Sequence, residues 1–323
     1  TILITGGTGS FGKSFVKSIL KKNDYKKIII FSRDELKQHE MRQNPDFSDL
    51  KYKNLRYFIG DVRDKDRLFH ALRDVDVIIH AAALKQVPTG EYNPFEVIKT
   101  NVLGAQNIID VALQLKVQKV IALSTDKAVS PINLYGASKL CSDKLFISSN
   151  NIRGNRNISF TVVRYGNVMG SRGSVLHEFQ KQKKNGPIKV THEDMTRFNI
   201  FLNESIEMVD WALKNAIGGE ILIPKIPSFK ITDLAKAVAP MNKIKIIGIR
   251  DGEKIHEELL SKADSQNSYD TKKYYLILDN NEKLINYYKK NFNAKKVPLG
   301  FSYNSNLNKK FLKVKELKNI LNK

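Results

Sequence analysis

Thr1-Ile-Leu-Ile-Thr-Gly-Gly-Thr-Gly-Ser-Phe-Gly12 opens the chain, and an amphipathic run to Lys22 follows it. The order is strand, turn, helix. Glycines at 6, 9 and 12 permit a tight turn, close approach of backbone to a pyrophosphate, and close helix–strand contact. The start of the helix adds unpaired N–H groups and a positive dipole end that suit phosphate. The stretch therefore predicts a dinucleotide site built from Gly6, Thr8, Gly9, Ser10, Phe11 and Gly12.

Outward from this loop, short Val/Ile/Leu runs alternate with amphipathic stretches. Strands are expected at Ile2–Thr5, Lys27–Phe31, Leu55–Ile59, Val75–His80, Lys119–Ser124 and Ile158–Arg164. Helices are expected at Phe11–Lys22, Arg63–Arg73, Asn93–Leu115 and Tyr135–Ser149. Buried parallel strands carry such continuous apolar runs. The alternation predicts an α/β fold, a doubly wound parallel (Rossmann-type) sheet with helices on both faces. After Tyr165 the pattern loosens around Gly and Pro, with helices at Asn203–Asn215 and Ile231–Ala239. Residues 1–165 are read as the dinucleotide-binding domain, with some later segments returning to it. Residues 166–323 are read as mainly a smaller C-terminal substrate-binding lobe.

Composition narrows the class. The 323 residues carry a formal net charge of +21 and a single cysteine. A lone cysteine allows no internal disulfide, which suits a reducing cytoplasm, and Cys141 is expected as a small buried residue on a helix. No apolar run reaches the length of a membrane helix, and the opening strand has no leader-peptide pattern. Lysines are scattered beside Asn and Ile, and no basic helix with interleaved aromatics occurs. The charge is read as solvated faces with a local demand for anionic small molecules, not as a nucleic-acid surface. The histidines show no metal-ligand spacing, so no metal is expected.

The end of the second strand bears on the cofactor. An acidic residue there favours NAD, but the chain has Ser32-Arg33 with Lys37 one turn on. A hydroxyl and two cations suit a 2′-phosphate, so NADP is expected; the alternative leaves Arg33 solvated and Asp34 on the ribose. Asp61 and Val62 after the third strand are placed beside the adenine. Ala81 to Ala83 after the fourth are small enough for backbone to approach the cofactor. Tyr135 and Lys139 lie four apart on one helical face. A phenol of pKa ~10 is a poor base at neutral pH, but a neighbouring lysine cation lowers that value. Tyr135 is then able to take a hydroxyl proton while a hydride leaves the same carbon.

Together the Gly6–Gly12 loop, His80-Ala-Ala-Ala83 and Tyr135 with Lys139 resemble the extended short-chain dehydrogenase/reductase superfamily. Ser32-Arg-Asp-Glu-Leu-Lys37, Ala83-Leu-Lys-Gln-Val-Pro88, Glu91-Tyr-Asn-Pro94, Ser124-Thr-Asp-Lys-Ala128, Arg164-Tyr-Gly-Asn167, Gly170-Ser-Arg-Gly-Ser174 and Gly248-Ile-Arg-Asp-Gly-Glu-Lys254 carry a closer likeness. They are similar to the soluble UDP-N-acetylglucosamine 4,6-dehydratases that invert C5 and open pseudaminic acid biosynthesis. Dehydratases that keep the C5 configuration usually look like Asp-Glu where this chain has Asp126-Lys127. Membrane-attached relatives with Thr-Asp-Lys tend to carry Met at the place of Tyr135.

The resemblance implies a recycled, tightly bound NADP, a UDP-sugar substrate, a homo-oligomer and a product destined for surface or flagellin glycans. In that chemistry Lys127, made neutral by burial and by the nearby cationic nicotinamide, removes H5, while a protonated Asp126 supplies the proton on which O6 leaves as water. Thr125 positions the sugar or Tyr135, and Lys85 reaches cofactor or substrate. Asn167 contacts the sugar nucleotide, and Arg250 and Glu253 contact the UDP portion. Arg172 and Arg197 are further diphosphate candidates, and Thr191 is placed with the substrate contacts. The competing readings are a 4- or 5-epimerase of the same superfamily and a non-catalytic dinucleotide sensor.

Overall fold

The computed structural model describes residues 1–48, 50–170 and 174–321. Strands β1 (Ile2–Thr5), β2 (Ile28–Ser32), β3 (Leu55–Ile59), β4 (Val77–His80), β5 (Lys119–Thr125) and β6 (Ser159–Tyr165) form the N-terminal half of one sheet. Helices α1 (Ser10–Lys22), α2 (Glu35–Gln43), α3 (Lys65–Ala71), α4 (Val87–Tyr92), α5 (Pro94–Ile98), α6 (Gly104–Gln114) and α7 (Leu134–Ile152) alternate with them. The later strands are β7 (Asn167–Val168), β8 (Ile188–Val190), β9 (Thr196–Ile200), β10 (Ile221–Pro224), β11 (Ser228–Lys230), β12 (Ile244–Ile246), β13 (Glu258–Leu260), β14 (Ser268–Asp270), β15 (Tyr274–Ile277), β16 (Lys295–Lys296) and β17 (Tyr303–Asn304). Their helices are α8 (Val175–Gln182), α9 (Leu202–Asn215), α10 (Ile231–Val238), α11 (Glu282–Phe292) and α12 (Val314–Leu321).

The large sheet has ten strands in the order β16-β14-β15-β10-β6-β5-β4-β1-β2-β3. From β3 to β10 every pairing is parallel, and β15, β14 and β16 extend it antiparallel. Three of the apolar runs predicted as strands are buried on both faces, every residue of β1, β2 and β6 lying below the surface, while the edge strand β3 is part-exposed. Helices α1 and α9 pack together, and α3, α6 and α7 form a second group. The strand order reverses between β1 and β4. A doubly wound sheet leaves a crevice there, at the carboxyl ends of the strands.

Around residues 166–321 a second apolar cluster joins Leu176 and Phe179 of α8, Ile188 and Val190 of β8, Leu234 and Val238 of α10, and Leu317 of α12. The tail that resists reading from the sequence is packed. Tyr288 and Phe292 of α11 stack around Trp211 of α9, and β14 to β16 complete the sheet edge.

Two expectations are corrected. The helix expected over Asn93–Leu115 is broken into α5, a π-helical turn at Lys99–Leu103, and α6. Inside that turn Asn101 exchanges hydrogen bonds with the backbone of Leu84 and donates to Ser138, tying it to the cavity loop; such turns widen a helix where a side chain must be placed. Cys141 is exposed. The buried stripe of α7 runs through Lys139, Ser142, Asp143 and Phe146, and Cys141 lies off it.

Glu220, just before β10, is fully buried. It accepts from Thr161 Oγ1 at 2.6 Å and from the Gly218 N–H at 3.1 Å. Burial outweighs these bonds and pushes its carboxyl up to about 7 from an ordinary 4.5. The folded chain therefore holds a proton that the unfolded chain has released, so stability falls as pH rises through that window and stays low above it. Glu220→Gln removes this dependence. Its denaturation midpoint, compared with wild type, should gain most at about pH 8, by up to roughly 3 kcal/mol, and least near pH 5. An equal gap at both pH values would refute the assignment.

Candidate active site

The crevice at the β1/β4 reversal opens into a cavity of about 1110 Å³ that runs from the Gly6–Gly12 loop to Arg250. At one end α1 begins at Gly9 with no side-chain cap, so its first N–H groups have no side-chain partner there. Gly12 is obligatory, since a Cβ would lie 2.5 Å from the Gly7 carbonyl oxygen. That close approach seats α1 against the loop and leaves the loop backbone facing the cavity. Thr5 stitches the loop to the next strand. Its hydroxyl accepts from the N–H groups of Ala81 and Ala82, at 3.1 and 3.2 Å, which leaves it to donate to His80 Nδ1 at 2.9 Å. Burial, then the Lys139 charge, pushes His80 down to about 3, so it stays a neutral acceptor.

At the end of β2, Ser32 shares a hydrogen bond with Thr8 at 3.1 Å. Arg33 faces Asp61 at 3.6 Å, and Lys37 pairs with Asp34. Asp34 is doubly engaged, because its other oxygen caps α2 by accepting the Lys37 N–H. A free Asp34 carboxylate for a ribose is therefore not what the fold presents. The helix start without a side-chain cap, the glycine contacts and this basic strand end fit a dinucleotide.

Deeper in, β5 ends in Thr125 and a 3₁₀ turn, Asp126–Ala128, carries Lys127. The turn is pressed onto α7 at Gly136, where a Cβ would lie 2.2 Å from the Lys127 carbonyl oxygen. This contact sets Lys127 beside Tyr135. Lys127 Nζ lies 3.1 Å from Asp126 Oδ1, 3.2 Å from Asn167 Oδ1 and 3.2 Å from Glu257 Oε1. Lys127 and Tyr135 reach the cavity wall; Asp126 is fully buried behind them. Burial, reinforced by Glu257, holds the Asp126 carboxyl above the usual range against the pull of Lys127 and Thr125. Tyr135 is pushed up to about 12 by burial, offset by Lys127 and by a hydrogen bond with Thr125.

Two electrostatic expectations are thereby corrected. Lys127 is not driven neutral: desolvation favours the amine, but Asp126 and Glu257 together raise its pKa. The strongest cationic influence on Tyr135 is Lys127, not Lys139. Lys139 is itself lowered by burial, with Asp143 opposing. Asp143 sits one turn further along α7, accepting from Ser124 Oγ at 2.7 Å and pairing with Arg164 at 3.1 Å.

Every other predicted position among the described residues lines the same cavity: Gly6, Thr8, Ser10, Phe11, Val62, Ala81, Ala83, Lys85, Thr125, Lys139, Thr191, Arg197, Arg250 and Glu253 included. Arg172 lies outside the described residues. Arg197 is nearly buried, donates to the carbonyls of Thr196 and Ile255, and approaches Glu257 at 3.8 Å. Asn199, two residues on along β9, also lines the cavity. Both polar atoms of its buried amide lack a partner among the described residues. Glu257 and Asn199 escaped sequence reading. Strand alternation from Arg197 points to Asn199; nothing local in the sequence points to Glu257.

Gly12→Ala should leave the chain folded but weaken dinucleotide binding by at least about 100-fold in calorimetric titration. Unchanged affinity would show that the loop is not the phosphate cradle.

Known proteins resemble this chain throughout. The family described as "Polysaccharide biosynthesis protein" matches residues 2–279. A "UDP-N-acetylglucosamine 4,6-dehydratase (inverting)" of Campylobacter jejuni is 52% identical over 328 residues, covering 99% of this chain and 97% of that protein. A "UDP-glucose 4-epimerase" of Rickettsia typhi is 44% identical, over 99% of this chain and 95% of its own. Among solved structures, Pen from Bacillus thuringiensis superposes with a TM-score of 0.88 at 37% identity, covering 99% of this chain and 96% of that one. With its parallel sheet, its glycine loop at the strand reversal, and this match over most of its length, the chain belongs to the polysaccharide biosynthesis protein family.

Proposed function

We propose that the chain is a UDP-N-acetylglucosamine 4,6-dehydratase that inverts C5, a hydro-lyase giving a UDP-4-keto-6-deoxy-L-hexose. The observation that carries this reading is the arrangement at the cavity floor. Lys127 and Tyr135 line the same cavity, and the buried Asp126 carboxyl, raised above the usual carboxylate range, lies 3.1 Å from the lysine. The 52% identity to an inverting dehydratase supports the same substrate.

A nicotinamide dinucleotide along the Gly6–Gly12 loop supplies the hydride acceptor and later the hydride donor. NADP is the form this chain favours, because Ser32, Arg33 and Lys37 place a hydroxyl and two cations along the cavity at the end of β2, the cations in part-exposed ion pairs with Asp61 and Asp34 that a 2′-phosphate would replace. Tyr135 reacts as the tyrosinate, the form that Thr125 and the cations Lys127 and Lys139 steady against burial; it takes the O4 proton and gives one proton up again by the time C5 is reprotonated. The C4 ketone acidifies H5, and Lys127 removes it. Asp126, held as an acid by burial, protonates O6 as it leaves. Lys85, Asn167, Thr191, Arg197, Arg250 and Glu253 are assigned to the sugar nucleotide, with the guanidinium groups on the diphosphate.

A 4-epimerase is the second reading, favoured by the 44% identity to a protein of that name. Mass spectrometry of UDP-N-acetylglucosamine incubated with the chain separates the two. Loss of one water is expected, and an isobaric product would sink the dehydratase. Lys127→Ala should keep dinucleotide affinity and lose at least about 1000-fold in turnover; retained turnover would refute the role of Lys127. Arg33→Ala should weaken NADP at least about tenfold more than NAD. Equal losses would mean that the ribose pocket has been misread.

A further inference from the structure

The base assigned to H5 is charged in the resting site. Lys127 is held as an ammonium by the two carboxyl groups beside it, so it must first give up a proton to something within reach. Its hydrogen-bond and ion-pair partners among the described residues are Asp126, Asn167 and Glu257. Asn167 is no proton acceptor, and the dehydratase reading reserves Asp126 as the acid for the departure of O6. Glu257 remains.

Glu257 is 2% exposed and stands behind Lys127, outside the cavity wall. Its position is fixed from the far end of the chain. The Glu257 N–H donates to Ser305 Oγ at 2.9 Å, and the Ser305 N–H donates to the Glu257 carbonyl at 2.8 Å. Its Oε1 meets Lys127 and Arg197, and its Oε2 has no hydrogen-bond partner among the described residues. A buried carboxylate with a free oxygen can take a proton without displacing another protein group. The charged groups acting on the pair are Asp126, Arg197, Tyr135, Lys85 and Lys254.

We propose that Glu257 is the proton acceptor that turns Lys127 into a base, a positioning residue that acts through Lys127 without touching the sugar. Resting on the dehydratase reading, the step is as follows. Lys127 Nζ passes one proton to Glu257 Oε1 across their 3.2 Å contact. The nitrogen lone pair so freed takes H5 as a proton. The C5–H electron pair stays on the sugar as the enolate of the C4 ketone, then expels O6 as Asp126 gives it a proton. In the resting site the mutual attraction holds Lys127 up and Glu257 down, so the transfer runs uphill and is drawn forward only as Lys127 takes H5. The ammonium regenerated on Lys127 lies 3.1 Å from Asp126 and returns that proton, while Glu257 gives its own back to Lys127. Two protons leave the sugar, from O4 and C5. Two return, to the departing hydroxyl and to C5. No further acid, base or oxidant is consumed.

The test compares wild type, E257Q and E257D in deuterium oxide with UDP-N-acetylglucosamine and NADP. Sugar-nucleotide affinity, reduced-nicotinamide absorbance in a single turnover, and deuterium entry at C5 are read separately. E257Q keeps the hydrogen bond to Lys127 but cannot take its proton. It should bind the sugar nucleotide within about threefold of wild type and still show the absorbance of C4 oxidation. Its kcat and C5 exchange should fall by at least about 100-fold with KM little changed, and E257D should recover at least about a tenth of the exchange. C5 exchange in E257Q within about fivefold of wild type would overturn the relay, as would equal loss in E257Q and E257D of binding and of absorbance. If wild type itself loses no water, the dehydratase reading fails and takes the relay with it. Water loss by wild type with normal exchange in E257Q overturns the relay alone.

Discussion

A lysine ammonium wedged between two buried carboxylates is the constraint on which the rest of this molecule turns. Lys127, Asp126 and Glu257 come from a strand end and from a loop more than a hundred residues later, and none is comfortable alone away from water. Glu257 is held low by the lysine, Asp126 is held high by burial and by Glu257, and the two carboxyl groups together raise the lysine. The fold around them reads as the apparatus that brings the three together. β5 sets the turn, Gly136 lets α7 press against it, and Ser305 near β17 pins Glu257 in place.

The same cluster explains why the two halves of the chain are interleaved. β10, β14, β15 and β16 return to the large sheet, while β9 projects Arg197 and Asn199 into the cavity. Arg197 meets Glu257 from that side. A ligand whose anionic diphosphate engages Arg197 therefore acts on the group paired with Lys127.

The parallel sheet was legible in the sequence because its strands are short apolar runs, and the glycine loop because its geometry admits few other residues. Tyr135 and Lys139 were legible by helical spacing, and Asp126-Lys127 by resemblance. Glu257 was not, because its partner is a hundred and thirty positions away and its flanking residues, His256 and Glu258, look like any exposed polar turn. Burial alone predicts a neutral amine at Lys127; the carboxyl group of Asp126, and after it that of Glu257, reverses the sign. The π-helical turn at Lys99–Leu103 was hidden because its cause is tertiary, the tie between Asn101 and the Leu84 backbone.

The central claim is that this cluster removes the C5 proton and returns one from the opposite face. Proton NMR of the product formed from UDP-N-acetylglucosamine in deuterium oxide tests it most directly. The account predicts a 6-deoxy sugar carrying deuterium at C5, with the inverted configuration read from its ring couplings after reduction of the ketone. A product that keeps protium and the original configuration at C5 would contradict it.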